Sequence, residues 1–258
     1  MSITAQYPIT RIDGHERFEK TDTVICESRL TIYLNNAPYV TLICTEQHTE
    51  ELAIGHLCNE GVIHTLSDIQ ELRSDGDSVW ICTEKTEAAA AAQGVRTVAT
   101  GCGGPRSAAF RLLEQTELEP LDADIRFRFT DVKAQVDVFQ TNSEIFLATG
   151  GVHSCALCAS DGSLLYFMED IGRHNAFDKV IGAALRDGVD PGQCFLITSG
   201  RVPSDMLIKA INARLSLLIS RSAPTDAAIE MAHKYNVTLC GFARGSRMNV
   251  YSFPNRLI

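Results

Sequence analysis

The feature that most constrains the fold is a repeated alternation between short apolar runs and amphipathic segments beyond residue 131. The runs "SCALCAS", "SLLYFME", "QCFLITSG", "LSLLISRS", "TLCGFA" and "MNVYSF" read as strands, and so does "EIFLATG". Between them "HNAFDKVIGAALRDG", "PSDMLIKAINAR" and "PTDAAIEMAHKYN" carry apolar residues at helical spacing. Upstream, "DVKAQVDVFQ" reads as a helix. Apolar strands alternating with amphipathic helices predict an α/β fold, a sheet covered by helices and largely parallel in this part. Gly188 ends one helix, and Asp161-Gly162 is a turn between strands.

The N-terminal part has a different pattern. Residues 24–45 predict a hairpin: "VICESRLTIYL", a turn at Asn35-Asn36, then "PYVTLICT". "HTEELAIGHLCNEG" predicts a three-turn helix capped by Thr49 and ended by Gly61. Residues 69–83 predict two strands around Ser74-Asp75-Gly76-Asp77, and 84–97 a low-complexity connector. The expected division is an N-terminal α+β part (1–100), a cysteine loop and connecting segment (101–130), and an α/β core (131–258). A helix is expected over 105–115, opened by Pro105.

Charge excludes some functions. A formal net charge of -9 makes the chain a poor general nucleic-acid binder, because neutralising phosphates needs a basic surplus. The start lacks the basic end and apolar run of a secretory signal, and no apolar run approaches the ~20 residues that span a bilayer. The expected location is cytoplasmic, where the nine cysteines are mostly small core residues. His153, Cys155 and Cys158 have a zinc-like look. However, strand periodicity puts the two cysteines on opposite faces, and no second ligand pair follows. No metal site is expected, and His153 is a candidate pocket residue. Ser199, His174 and Asp170 are the ingredients of a hydrolase triad without a nucleophile elbow.

Four loops present arginine after core segments. Ser199, Gly200 and Arg201 follow one strand, and Arg221 and Ser222 follow another. Arg244 and Arg247 flank Gly245, while Arg173 and His174 open a helix. In open α/β sheets ligands bind beyond the carboxyl ends of strands, where helix N-termini suit phosphate. The four loops predict an anion pocket. A different segment, "TGCGGPR", surrounds Cys102 with glycines and places it before Pro105 and Arg106. A thiol there is favoured as thiolate by the helix dipole and the guanidinium, and glycines let a bulky partner approach. It is either a nucleophilic, sulfur-carrying cysteine or a flexible loop that happens to hold a thiol.

Together "LAIGHLCNEGVI", "TGCGG", "TGGVHSCAL", "EDIGRHNAFDKVIG", "TSGRVPSDMLIKA", "SRSAPTDAAIEMA" and "TLCGFARGSRMNVYS" resemble the FdhD family of formate dehydrogenase accessory sulfurtransferases, over residues 24–256. The resemblance implies a cytidine deaminase-like mixed sheet with helices on both faces, without the deaminase zinc site, in a homodimer. It implies a sulfur carrier that takes persulfide sulfur from a cysteine desulfurase. The sulfur is passed to the molybdenum cofactor, bis-molybdopterin guanine dinucleotide, before that cofactor enters formate dehydrogenase. Cys102 falls on the family's persulfide cysteine. Phe242, Ala243, Arg244, Gly245, Ser246 and Arg247 fall on its cofactor segment. The family loop reads C-G-x-C-G, and this chain has Pro105 where the second cysteine stands. The alternative is therefore a cofactor-binding chaperone that has lost sulfur transfer.

Overall fold

The computed structural model describes residues 2–84, 96–98, 119–121 and 124–258. The chain opens with a two-stranded hairpin, β1 (Thr4–Asp13) and β2 (Glu16–Ile25), an element the sequence pattern did not announce. The hairpin expected over 24–45 is β3 (Ser28–Leu34) and β4 (Ala37–Cys44). Asn35 and Asn36 both take positive φ at its turn, as a tight hairpin matching strand twist requires. β5 (Glu71–Asp75), β6 (Ser78–Cys82) and β7 (Arg96–Val98) complete a five-stranded sheet in the order β5-β6-β3-β4-β7.

α1 (Thr49–Asn59) follows β4. Thr49 is not its cap. The cap position is His48, in left-handed conformation and without a side-chain hydrogen bond, while Gly61 ends the helix at φ 74°. The second part contains α2 (Phe129–Val138), α3 (Glu144–Thr149), β8 (His153–Ala159), β9 (Leu164–Asp170) and α4 (Arg173–Arg186). Then come β10 (Cys194–Thr198), α5 (Ser204–Asn212), β11 (Leu217–Ser220), α6 (Asp226–Lys234), β12 (Thr238–Arg244) and β13 (Arg247–Val250).

Two expectations are corrected. "EIFLATG" is a helix, not a strand. Both Glu169 carboxylate oxygens accept backbone N–H groups at its start, from Ile145 and Phe146 at 3.0 Å each. That long-range cap outweighs the run's local β-propensity. The six-stranded sheet, ordered β13-β12-β11-β10-β8-β9, is mixed: only the β10–β11 and β11–β12 pairings are parallel, and the other three are antiparallel. Tight turns at Gly162 and Gly245 join β8 to β9 and β12 to β13, and such short connections allow antiparallel pairing only.

Helices cover both faces. Leu196, Leu218 and Leu239 pack with α1, α4, α5 and α6, whereas Phe195, Ile197 and Ile219 pack under Val132 and Val136 of α2. Cys155 and Cys158 fall in opposite cores, as strand periodicity requires. Leu30, Ile32, Leu42, Val79 and Ile81 of the five-stranded sheet join the first core, so α1 and α4 lie between two sheets. These helices cross very closely. A β-carbon on Gly55 or Gly182 would overlap the carbonyl oxygen of Asp178 or Glu51 across the crossing.

Candidate functional site

Parallel strands deliver their carboxyl ends to one edge of a sheet, so the segments after β10, β11 and β12 meet there. β9 ends at the same edge and feeds α4, while β8, being antiparallel, begins there. Backbone hydrogen bonds tie the segments together. Ser199 N donates to Ser154 O (3.0 Å), Arg221 N to Thr198 O (3.0 Å), Val202 N to Ala223 O (3.1 Å) and Phe242 N to Ser222 O (2.9 Å). Three sequence-distant loops thereby become one rim, anchored on the start of β8.

Side chains complete the rim. Ser199 Oγ accepts from Ser154 N at 3.0 Å and lies 3.2 Å from His153 Nδ1. Ser220 Oγ donates to Gly200 O (2.7 Å) and accepts from Ser222 N (2.9 Å). Gly200 is where Arg173 packs, since a β-carbon there would sit 3.0 Å from the Arg173 Cδ. Arg244 Nε donates to the Arg221 backbone carbonyl at 2.9 Å, which brings the Arg244 guanidinium against the loop that carries Arg221. Burial, then the Arg244 charge, pulls the Arg221 pKa below its ordinary value. Arg244 also faces Arg247 across the β12–β13 ladder, an opposition of like charges that costs stability unless an anion lies between them. Phe242 sits at a bulge with φ 53°, two residues before Arg244, and is 40% exposed.

The remaining candidates are placed as follows. Arg201, Gly245, Ser246 and Arg247 are exposed, whereas the Ala243 side chain is buried in the core beneath α2. His174 Nε2 lies 3.5 Å from Asp205 Oδ2 at the start of α5. Burial, then Lys209, pushes the His174 pKa down to about 4, so the imidazole is neutral at pH 7. His153 is likewise held low, by burial first and Arg173 second. Ser199, His174 and Asp170 do not form a triad: Ser199 pairs with His153, and Asp170 is committed to a buried cluster. α4 and α5 begin without a side-chain N-cap, but in the first turn of α5 Asp205 Oδ1 accepts from Met206 N at 2.8 Å, so α4 is the helix whose positive end is left at the rim.

Two buried polar clusters, missed at the sequence level, hold the rim in place. In the first, Lys179 is fully buried and donates to Asp170 Oδ2 (2.7 Å) and Thr45 Oγ1 (2.6 Å). Asp170 Oδ1 accepts from Gly172 N and Asn175 Nδ2, both at 2.9 Å, and so shapes the turn that presents Arg173 and His174. In the second, Asp178 accepts from Lys209 Nζ at 2.7 Å on each oxygen and from Asn59 Nδ2 at 2.7 Å, with His56 Nδ1 at 3.1 Å. Burial pushes the Asp178 carboxyl up, but Lys209 and His56 outweigh it and hold it at about 2. The readable signal was polar residues on the core-facing stripe of α4: Asn175, Asp178 and Lys179.

Cys102 and the helix expected over 105–115 lie outside the described residues. β7 is the last described stretch before them, and it runs parallel to β4, toward the end where Thr45 meets Asp170. Among the described residues no three metal-ligating side chains converge, and no helix is long and apolar enough to cross a membrane.

A mixed α/β protein with a cationic rim at its strand ends is what the fold and the side chains define. The chain belongs to the FdhD/NarQ family, which matches residues 25–258. It is 36% identical over 267 residues to the sulfur carrier protein FdhD of Listeria innocua serovar 6a, with all of both chains covered. It is 35% identical over 258 residues to the sulfur carrier protein FdhD of Bacillus subtilis strain 168, covering 99% of this chain and 98% of that protein. A crystal structure described as a formate dehydrogenase accessory protein from Desulfotalea psychrophila shares the fold, with a TM-score of 0.81 at 24% identity over both whole chains.

Proposed function

We propose that this chain is a sulfur carrier acting in formate dehydrogenase maturation, with Cys102 as the carrying thiol and the rim as the seat of a phosphate-rich cofactor. The observation that carries the reading is the crowding of cations on the rim. Arg244 touches Arg221 and faces Arg247 across a ladder, an arrangement that an anionic ligand relieves. Kinship with proteins named sulfur carriers supplies the chemistry.

In the first step the Cys102 thiolate attacks the terminal sulfur of a cysteine desulfurase persulfide. The donor cysteine leaves as a thiolate, and Cys102 holds the sulfur as a persulfide. No net oxidation occurs, and the rate follows thiolate fraction and access. The cargo that receives the sulfur is the molybdenum cofactor in its bis-molybdopterin guanine dinucleotide form. Arg221, Arg244 and Arg247 hold its phosphates, with Arg173 and Arg201 on the same rim. The Phe242 ring offers a face for a base, and Ser199, Ser222 and the neutral imidazoles of His153 and His174 supply hydrogen bonds. Gly200, Gly245 and Ser246 bring backbone close to the ligand. The core is cytidine deaminase-like, and the working unit is a cytoplasmic homodimer.

The test is mass spectrometry after incubation with a desulfurase and cysteine. A gain of one sulfur on Cys102 is expected, together with loss of formate dehydrogenase activation in Cys102→Ala. Pro105 in place of the second family cysteine favours the rival reading of a cofactor chaperone. Full activation by Cys102→Ala would establish that rival and end the carrier reading.

A further inference from the structure

The N-terminal hairpin takes no part in the site. Its ten-residue strands reach about 34 Å, and every residue from Thr10 to Asp22 is exposed. Among the described residues β1 and β2 pair with no other strand. A two-stranded ribbon is marginal in water unless something else covers it. One face carries Ala5, Tyr7, Ile9, Phe18 and Val24. Tyr7 is 55%, Phe18 48% and Val24 39% exposed.

The backbone shows which edge is available. Cys26 N donates to Ile3 O at 2.8 Å, which fixes the phase of the ladder. With the register Thr4–Ile25 through Asp13–Glu16, the hydrogen-bonded pairs are Ala5–Val24, Tyr7–Asp22, Ile9–Lys20 and Arg11–Phe18. The Pro8–Thr21 pair therefore turns its backbone outward on both sides. Pro8 has no N–H and blunts the β1 edge, whereas Thr21 leaves the β2 edge able to donate and accept.

The β2 sequence matches itself. Antiparallel pairing with its own copy across a two-fold axis at Thr21 places Lys20 opposite Asp22 of the partner subunit and Phe18 opposite Val24 of the partner subunit. Shifting the register by two residues sets Lys20 against its own copy, or Asp22 against its own copy. Like charges directly opposite are destabilising, so the charges favour this register over both of its neighbours. Lys20–Asp22 and Phe18–Val24 are also the non-hydrogen-bonded pairs of that ladder, where side chains approach most closely.

We propose that β2 pairs with β2 of a second copy of this chain across a two-fold axis at Thr21, forming a four-stranded sheet that joins two subunits. This names the contact surface of the homodimer reading above and rests on it. The test is sedimentation of the full chain at micromolar concentration. The wild type is expected at twice the 28.2 kDa chain mass. Lys20→Asp and Asp22→Lys alone each weaken association at least about tenfold, and the double reversal restores it. Thr21→Pro also dissociates the pair, since that N–H points away from β1. All these positions are exposed, so an unchanged circular dichroism spectrum shows that the subunit fold survives. A monomeric wild type overturns both the dimer and its surface. A dimer indifferent to either charge reversal overturns the surface and leaves the dimer standing.

Discussion

Replacing Gly182 by alanine tests the packing on which the rim is built. A β-carbon there would overlap the Glu51 carbonyl oxygen and lie 2.7 Å from the carbonyl carbon and 2.9 Å from the Gly55 nitrogen. Non-bonded carbons settle at about 3.5–4.0 Å, so α1 and α4 must part by about 1 Å. Neither helix has room to move, because both are packed between two sheets in one core. The separation also stretches the bonds from His56 and Asn59 of α1 to Asp178 of α4. Overpacking of this kind costs about 3 kcal/mol, against which the better helix propensity of alanine returns about 1 kcal/mol. A net loss of about 2 kcal/mol is a large share of the roughly 5–15 kcal/mol that stabilises a domain. Urea unfolding of Gly182→Ala followed by circular dichroism measures it. A variant as stable as the wild type would refute the close crossing.

Lys209→Met leaves the Asp178 carboxylate buried with its main counter-charge gone, and a loss of about 3–5 kcal/mol is expected in the same unfolding assay. Asp178 has its pKa lowered from 3.8 to about 2, so its contribution to stability is complete above the ordinary carboxylate range and is lost as pH falls through about 2. Acid titration of wild type and Asp178→Asn should show that component in the wild type alone. Burial pushes the thiols of Cys44, Cys58, Cys155, Cys158 and Cys240 up to about 12, so native-state alkylation at pH 8 should leave them unmodified while Cys102 reacts. Peptide mapping after the reaction checks this, and a Cys102 that reacts no faster than the buried five would contradict its role as a carrier.

Much of the architecture was legible because the physical signals are local. The Asn35-Asn36 and Asp161-Gly162 turns, the helices ended by Gly61 and Gly188, and the strands from "SCALCAS" onward each follow from a few adjacent residues. The strand-end rule likewise brought Ser199, Arg201, Arg221 and Ser222 together from sequence order alone, because parallel strands share a carboxyl edge. The β1–β2 hairpin escaped that reading because both its faces are largely exposed and no burial imposes a clean alternation on it.

The sequence by itself determined the β3–β4 hairpin, the alternation of strands and helices from β8 onward, and which loops carry arginine. Only the tertiary structure decided that "EIFLATG" is helical, since Glu169, more than twenty residues away, supplies its cap. The same holds for the Lys179–Asp170–Thr45 cluster, whose members come from both parts of the chain, and for Asp178 with Lys209 and His56. A charge can be buried only when its partner is already in place, and that partner is chosen by the packing of helices, not by spacing along the chain.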